Sequence, residues 1–169
     1  AAMPKISGLL LGGIFFLPLC LDIATLLLVA AGVILVGRMA WNGRVKIRRT
    51  RLDIWLAGFA ILAAASAPGS IFAYESWYNY YHVVSLYLLV YFLVTQSVLS
   101  DADVKKTLLV ILASAAIVCM VGLFQYATGV DVTAERWIDG EQFPQLKTRV
   151  FSTLGNPNVL AAFLVMIIG

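Results

Sequence analysis

Long apolar stretches separated by short polar ones are the dominant pattern along this chain of 169 residues. Charged side chains gather in a few places, and the segments between them are almost free of charge. A helix that crosses a membrane needs about 20 mainly apolar residues, and polar loops join successive crossings. The pattern therefore predicts an all-α fold, a polytopic bundle of transmembrane helices, with five to six spans in this part of the protein.

The predicted spans follow from the turn signals between the apolar stretches. The first stretch, from Ile6 to Val36, is too long for one straight span, and Pro18 and Asp22 interrupt it. It predicts two short spans with a tight turn near 19–22, or alternatively one long kinked helix. The spans of this single helical domain, 1–169, are 6–20, 21–38, 52–67, 77–99, 107–126 and an incomplete 156–169. Because the chain lacks an initial Met and ends in an apolar run, we expect the N-terminal part of a larger protein.

Composition supports a membrane protein and excludes several other classes. Hydrophobic residues make up 62% and charged residues 12% of the chain, and the mean hydropathy is +0.92. A soluble domain carries about 25% charged residues. There is no long basic tract, so no nucleic-acid partner is expected. Cys20 and Cys119 both lie in apolar stretches and are interpreted as small hydrophobic residues, not as a disulfide or a metal pair.

The positive charges predict the orientation in the membrane. The loop 38–51 is the densest basic run, with Arg38, Arg44, Lys46, Arg48, Arg49 and Arg51. The positive-inside rule places it in the cytoplasm as a topological anchor; a site for lipid headgroups or phosphate is the alternative. Alternation then places the long polar loop 127–149 outside. Ser100, in the short inner turn before the fifth span, is placed to cap the helix that begins there.

One polar segment carries candidate chemistry, and it lies at the end of the outer loop. Gly155 permits a turn, Asn156 is a favoured N-cap, and Pro157 suits the first position of a helix. A helix N-terminus attracts anions, and Arg149 adds a planar positive group suited to phosphate. The segment therefore predicts either an anion site at the outer membrane boundary or an ordinary capped helix preceded by an interfacial arginine.

Residues 149–161, RVFSTLGNPNVLA, resemble the motif of an arginine followed by G-x-PN-x-hydrophobic-A in the O-antigen ligase and polymerase family. The resemblance implies a metal-independent glycosyltransferase of the bacterial inner (cytoplasmic) membrane, without a cofactor, that serves cell-envelope polysaccharide biosynthesis. Such proteins transfer or polymerise glycan from a polyprenyl-diphosphate carrier on the outer face. The implied partners are the lipid bilayer, the polyprenyl-diphosphate-linked glycan, and a glycan or lipid acceptor.

The resemblance also implies roles for individual residues. Arg149 matches the outer-face arginine of the motif and is expected to bind diphosphate, with Lys147 as a second cation. Asn156 and Asn158 match motif positions and are substrate-binding candidates, although a local structural role is preferred for both. Catalytic residues are expected in a second half of the protein, so this part alone is expected to be inactive. His82, the only histidine, is interpreted as an interfacial side chain among aromatic residues.

Two other functions remain open at this point. A small-anion transporter, similar to the proposed bicarbonate transporters among related sequences, would need polar groups along a path at mid-membrane, and the predicted spans contain few. A non-catalytic membrane scaffold subunit fits the absence of candidate catalytic residues in this part of the chain.

Overall fold

The computed structural model describes residues 4–41, 47–98, 100–129 and 149–169. Within these ranges the chain is helical and contains no strand, which confirms the all-α prediction. The described α-helices are α1 (Pro4–Phe16), α2 (Leu21–Trp41), α3 (Asp53–Ser66), α4 (Ala73–Asn79), α5 (Ser85–Ser97), α6 (Asp101–Thr128) and α7 (Pro157–Ile168). Much of the basic loop (42–46) and of the outer loop (130–148) lies outside the described residues.

The chain forms two compact units. The first contains Ala1–Gly13 and Thr25–Val104, and the second contains Ile14–Ala24 and Lys105–Gly169. Glycines permit close helix packing in the first unit: a Cβ atom on Gly12 would lie 3.3 Å from Leu27 Cδ1, and one on Gly32 would lie 3.1 Å from Leu89 Cδ1. Such close approaches over small residues are typical of helices packed in membranes.

The predicted turn in the first apolar stretch is present. Helix α1 ends at Phe16, whose carbonyl accepts hydrogen bonds from Leu19 N–H at 3.0 Å and Cys20 N–H at 2.8 Å. Helix α2 then begins at Leu21. Pro18 cannot donate a backbone hydrogen bond and disfavours helical geometry in the residue before it. The stretch is therefore two helices and not one long kinked helix.

Helices α4 and α5 belong to one continuous helical stretch with a π-turn inside it. The π-turn covers Tyr80–Val84, and the Ser85 N–H and hydroxyl both reach back to the Tyr80 carbonyl, the hydroxyl at 3.3 Å. A π-turn contains one residue more than an α-helical turn and is often found at functional positions. This segment contains His82 and lies within the predicted fourth span, 77–99.

The start of α6 confirms the predicted Ser100 cap. The Ser100 hydroxyl accepts a hydrogen bond from Asp103 N–H at 3.2 Å, and Ser100 N–H donates to Asp103 Oδ2 at 3.2 Å. This reciprocal pair satisfies two backbone donors at the helix start. Helix α6 consequently begins at Asp101, six residues before the predicted span.

Helix length supports fewer membrane spans than the sequence predicted. Among the described residues, two helices are long and apolar enough to cross a membrane: α2 with 21 residues and α6 with 28. Helices α1 and α3 have 13 and 14 residues, short of the roughly 20 that a crossing needs. Apolar composition marks segments that tolerate lipid, but turns at Pro18 and Pro68 end the helices early.

The apolar surfaces of these helices are largely uncovered by the chain itself. Only 28% of the apolar window of α2 and 22% of that of α6 is buried. Helix α3 has no buried residue, although it carries large side chains such as Trp55 and Leu62, which are 76% and 72% exposed. A core helix of a soluble domain would be mostly buried. These surfaces therefore require lipid or further protein around them.

Candidate functional site

The segment that carries Arg149 is a tight turn between α6 and α7. Residues 152–154 form a short 3-10 turn, Gly155 has a positive φ of 69°, and α7 follows. Ser152 also has a positive φ, 53°, although it is not a glycine. A non-glycine residue in this region costs roughly 1–3 kcal/mol and persists only where its surroundings enforce it. The contacts of Ser152 enforce this backbone conformation.

Three hydrogen bonds fix Ser152 to α6. Its hydroxyl donates to the Val118 carbonyl at 2.6 Å, and its N–H donates to Gln125 Oε1 at 2.7 Å. Gln125 Nε2 in turn donates to the Ser152 carbonyl at 3.3 Å. Ser152 is 4% exposed. We call this arrangement of Val118, Gln125 and Ser152 the serine clamp, and it explains how the strained backbone is held.

Gly122 and Thr153 complete the attachment of this turn. A Cβ atom on Gly122 would lie 3.3 Å from Val150 Cγ1 and 3.8 Å from Ser152 Cβ, so the missing side chain lets the segment reach the α6 backbone. The Thr153 hydroxyl donates to the Pro18 carbonyl at 2.6 Å. The segment following Arg149 is thus positioned by specific contacts within the second unit.

The N-terminus of α7 matches the predicted cap. Asn156 has extended backbone angles, and its side chain accepts from Asn158 N–H at 2.8 Å. The Asn156 carbonyl accepts from Leu160 N–H at 3.0 Å. Pro157 has no N–H, and the N–H groups of Asn158 and Leu160 already have acceptors. In the first turn, Val159 is therefore left as the main N–H donor for an anion. Most of the positive charge of an anion site here would have to come from Arg149.

The four predicted site residues differ in their exposure and in their hydrogen-bond partners. Arg149 is exposed, and its side chain has no hydrogen-bond or ion-pair partner among the described residues. Asn156 serves as the cap, which is the preferred structural role. The side chain of Asn158 is exposed, and the bond to Asn156 uses only its backbone N–H. Lys147 lies outside the described residues.

An apolar groove lies between α6 and α7. It has a volume of about 500 Å³, and Val150, the residue after Arg149, is part of its lining. Its other lining side chains are apolar or aromatic and come from both helices: Val118, Cys119, Leu123, Tyr126, Leu160 and Leu164. We call it the α6–α7 groove. A charged group and a long apolar surface are therefore adjacent in the chain.

His82 lies within the π-turn, in the first unit. Its ring stacks on Tyr78 with a centroid distance of 4.0 Å, and its Nδ1 lies 2.9 Å from the Tyr78 carbonyl oxygen. These contacts match the interpretation of a histidine packed among aromatic residues. In the described part of the chain, no group of three or more histidine, cysteine or acidic side chains is arranged to hold a metal ion.

The serine clamp was missed by the sequence reasoning, although the chain contains a signal for it. Gln125 is a polar side chain that follows a long apolar stretch of α6, and polar groups in such helices usually have a specific partner. Gly122 lies one turn earlier on the same helix, where it marks a close backbone approach. The sequence does not reveal that the partner is Ser152, 27 residues further on.

The cap gives a prediction about stability. Replacing Asn156 with Ala should lower the free energy of unfolding by about 1 kcal/mol, because Asn158 N–H loses its acceptor. Asn156→Ser is the matched control, since serine is an equally good N-cap and should leave stability nearly unchanged. Thermal unfolding in detergent measures both variants. Equal stability of Asn156→Ala and the unmodified protein would contradict a capping role.

Comparisons of the chain with protein-family models, with curated proteins and with solved structures found no match.

Proposed function

We propose that this chain is part of a membrane glycosyltransferase of the O-antigen ligase and polymerase type. It would transfer or polymerise glycan from a polyprenyl-diphosphate carrier on the outer face of the bacterial inner membrane. The motif resemblance suggests the chemistry, and the residues around Arg149 suggest where the carrier binds. The catalytic groups would lie elsewhere in the protein.

The supporting observation is that Arg149 directly precedes Val150, a residue that lines the α6–α7 groove. Arg149 is exposed. A polyprenyl diphosphate has an anionic head and a long hydrocarbon tail. A guanidinium group can form paired hydrogen bonds with phosphate oxygens, and apolar side chains can bury the tail. Arg149 would hold the diphosphate, and the groove would take the adjacent isoprene units.

The rigid attachment of this turn also fits a binding role. The serine clamp and Thr153 fix the chain directly after Arg149, within the second unit. A fixed backbone reduces the entropy that is lost when Arg149 is ordered on a ligand. An arginine that served only to anchor a helix at the interface would not require a strained residue three positions later.

The proposed membrane arrangement adds further membrane segments to the two helices that are long enough to cross. In it, α2, α6 and the helical stretch from Ala73 to Ser97 cross the membrane, and the shorter apolar helices α1, α3 and α7 complete a bundle of five to six membrane segments. Their exposed apolar side chains would face lipid or the remaining helices of the protein. The basic loop would lie in the cytoplasm and Arg149 on the outer side.

The proposed function is tested by reconstitution. The natural protein would be inserted into liposomes that contain a polyprenyl-diphosphate-linked glycan, with a lipid or glycan acceptor added at the outer face. Formation of an acceptor–glycan product, or of lengthened glycan, with release of polyprenyl diphosphate is expected without added metal. Uptake of labelled bicarbonate by the same liposomes, with no glycan product, would favour the transporter alternative.

A further inference from the structure

Three arginines between α2 and α3 are carried on a backbone that is fixed to α5. Arg48, Arg49 and Arg51, which we call the basic edge, all have exposed side chains. Gln96 Oε1 accepts from Arg48 N–H at 2.9 Å, and Gln96 Nε2 donates to the Arg48 carbonyl at 3.0 Å. Gln96 is only 8% exposed. A buried carboxamide thus binds both backbone groups of Arg48, as a neighbouring β-strand would.

A second attachment lies on the other side of Arg49. Thr50 N–H donates to Asp53 Oδ2 at 2.8 Å, and the Thr50 hydroxyl donates to Asp53 Oδ1 at 2.9 Å. The Tyr91 hydroxyl donates to Asp53 Oδ1 at 2.5 Å and also contacts the Thr50 hydroxyl. The loop is therefore held to α5 by Gln96 and again by Tyr91.

The basic edge forms no ion pair within the described ranges, although the Asp53 carboxylate attracts Arg49 through space. Asp53 is the acid nearest to the arginines in sequence. Its carboxylate already accepts hydrogen bonds from three uncharged donors: the Thr50 N–H, the Thr50 hydroxyl and the Tyr91 hydroxyl. None of the carboxylates in the described ranges forms an ion pair with Arg48, Arg49 or Arg51. Like charges on nearby residues repel one another, and a bound anion would relieve that repulsion.

We infer that the basic edge binds an anionic phospholipid, with the headgroup phosphate held by the arginine side chains and the acyl chains lying along α3. The apolar side chains that directly follow the arginines favour a lipid over a soluble phosphate: Leu52, Ile54 and Trp55 are 59%, 74% and 76% exposed. A basic loop that only sets the membrane orientation needs positive charge but no fixed backbone. The two attachments to α5 are what a specific site requires.

This inference is independent of the proposed glycosyltransferase. It uses residues of the first unit only, and it requires a membrane but no glycan. A protein without transferase activity would still be expected to bind the phospholipid, and a transferase without the lipid site would still be expected to transfer glycan.

The test measures lipid binding by the purified protein in a non-ionic detergent. The protein is titrated with phosphatidylglycerol, with phosphatidylcholine and with inorganic phosphate, and bound lipids are counted by native mass spectrometry. We expect phosphatidylglycerol to bind about tenfold more tightly than phosphatidylcholine, since basic residues near a membrane surface each attract anionic lipid. The triple variant R48Q/R49Q/R51Q should lose this preference. Inorganic phosphate that displaces phosphatidylglycerol at equal concentration would show a soluble-anion site and overturn the lipid assignment.

Two variants separate a built site from general charge. Gln96→Leu keeps every charge but releases Arg48, and it should reduce the lipid preference severalfold. Tyr91→Phe removes one hydroxyl, which frees Asp53 to neutralise a nearby arginine, and should reduce the preference as well without endangering the fold. The double variant K105Q/K106Q is the control, because it removes exposed positive charge from α6 and should leave the preference intact. Unchanged binding by both Gln96→Leu and Tyr91→Phe, or an equal loss in K105Q/K106Q, would overturn the proposal.

Discussion

Replacing Arg149 with Ala in the natural protein is expected to lower glycan transfer by about ten- to a hundredfold while leaving membrane insertion unchanged. A hydrogen bond to a charged group contributes roughly 1.5–3 kcal/mol, and about 1.4 kcal/mol corresponds to a factor of ten. Arg149 is exposed and holds no other described residue in place, so its loss should remove binding and not stability. Initial rates with a polyprenyl-diphosphate-linked donor in membrane vesicles measure the effect.

Matched substitutions show whether charge or geometry is responsible. Arg149→Lys keeps the charge but loses the planar pair of donors, so its rate should lie between those of the unmodified protein and Arg149→Ala. Lys105→Ala removes an exposed cation at the other end of α6 and should keep the full rate. A rate for Arg149→Ala within twofold of the unmodified protein would show that Arg149 does not bind the diphosphate.

The second large effect is expected from Gln125→Leu. This change removes the acceptor of Ser152 N–H and the donor to the Ser152 carbonyl, and it leaves both backbone groups without their partners. An unsatisfied buried polar group costs roughly 1–3 kcal/mol, so the turn should be destabilised by about 2 kcal/mol or more. Hydrogen exchange of a peptide covering 150–156, followed by mass spectrometry, should then become at least about tenfold faster.

Thr128→Val is the control for this experiment. The Thr128 hydroxyl lies less than one turn beyond Gln125 and bonds only to carbonyls of its own helix, at 2.8 Å to Phe124 and 3.5 Å to Gln125. Its removal should leave exchange at 150–156 unchanged. If Gln125→Leu exchanges as slowly as Thr128→Val, the serine clamp does not hold the turn, and the strained angle of Ser152 needs another cause.

The start of α7 was predictable because each residue there acts through its own chemistry. Gly155 tolerates a positive φ, the Asn156 side chain reaches the N–H two residues on, and Pro157 needs no acceptor. The same holds for Ser100 and α6. In both cases the interacting groups lie within a few positions of each other, so the sequence alone determines the pairing.

The number of long helices was not predictable from composition. Apolar residues continue through the turns at Pro18 and Pro68, and the sequence does not tell whether a turn ends a membrane segment or only divides it. The count of two sufficiently long helices therefore follows from backbone geometry. The hydrophobic pattern correctly predicted an all-α fold. It predicted the first and last residues of the helices only approximately.

The polar contacts that position the candidate sites join distant parts of the chain. Gln96 contacts Arg48 across 48 positions, and Ser152 contacts Val118 across 34. No local pattern identifies such partners, and a positive φ at a serine has no sequence signal.

The π-turn at Tyr80–Val84 determines which side chains of α5 face the loop between α2 and α3. An α-helix advances by about 100° per residue, so the one additional residue in the turn rotates α5 by that angle relative to α4. Gln96 and Tyr91, which bind the loop between α2 and α3, both lie after this turn, so its additional residue sets the face of α5 on which they stand.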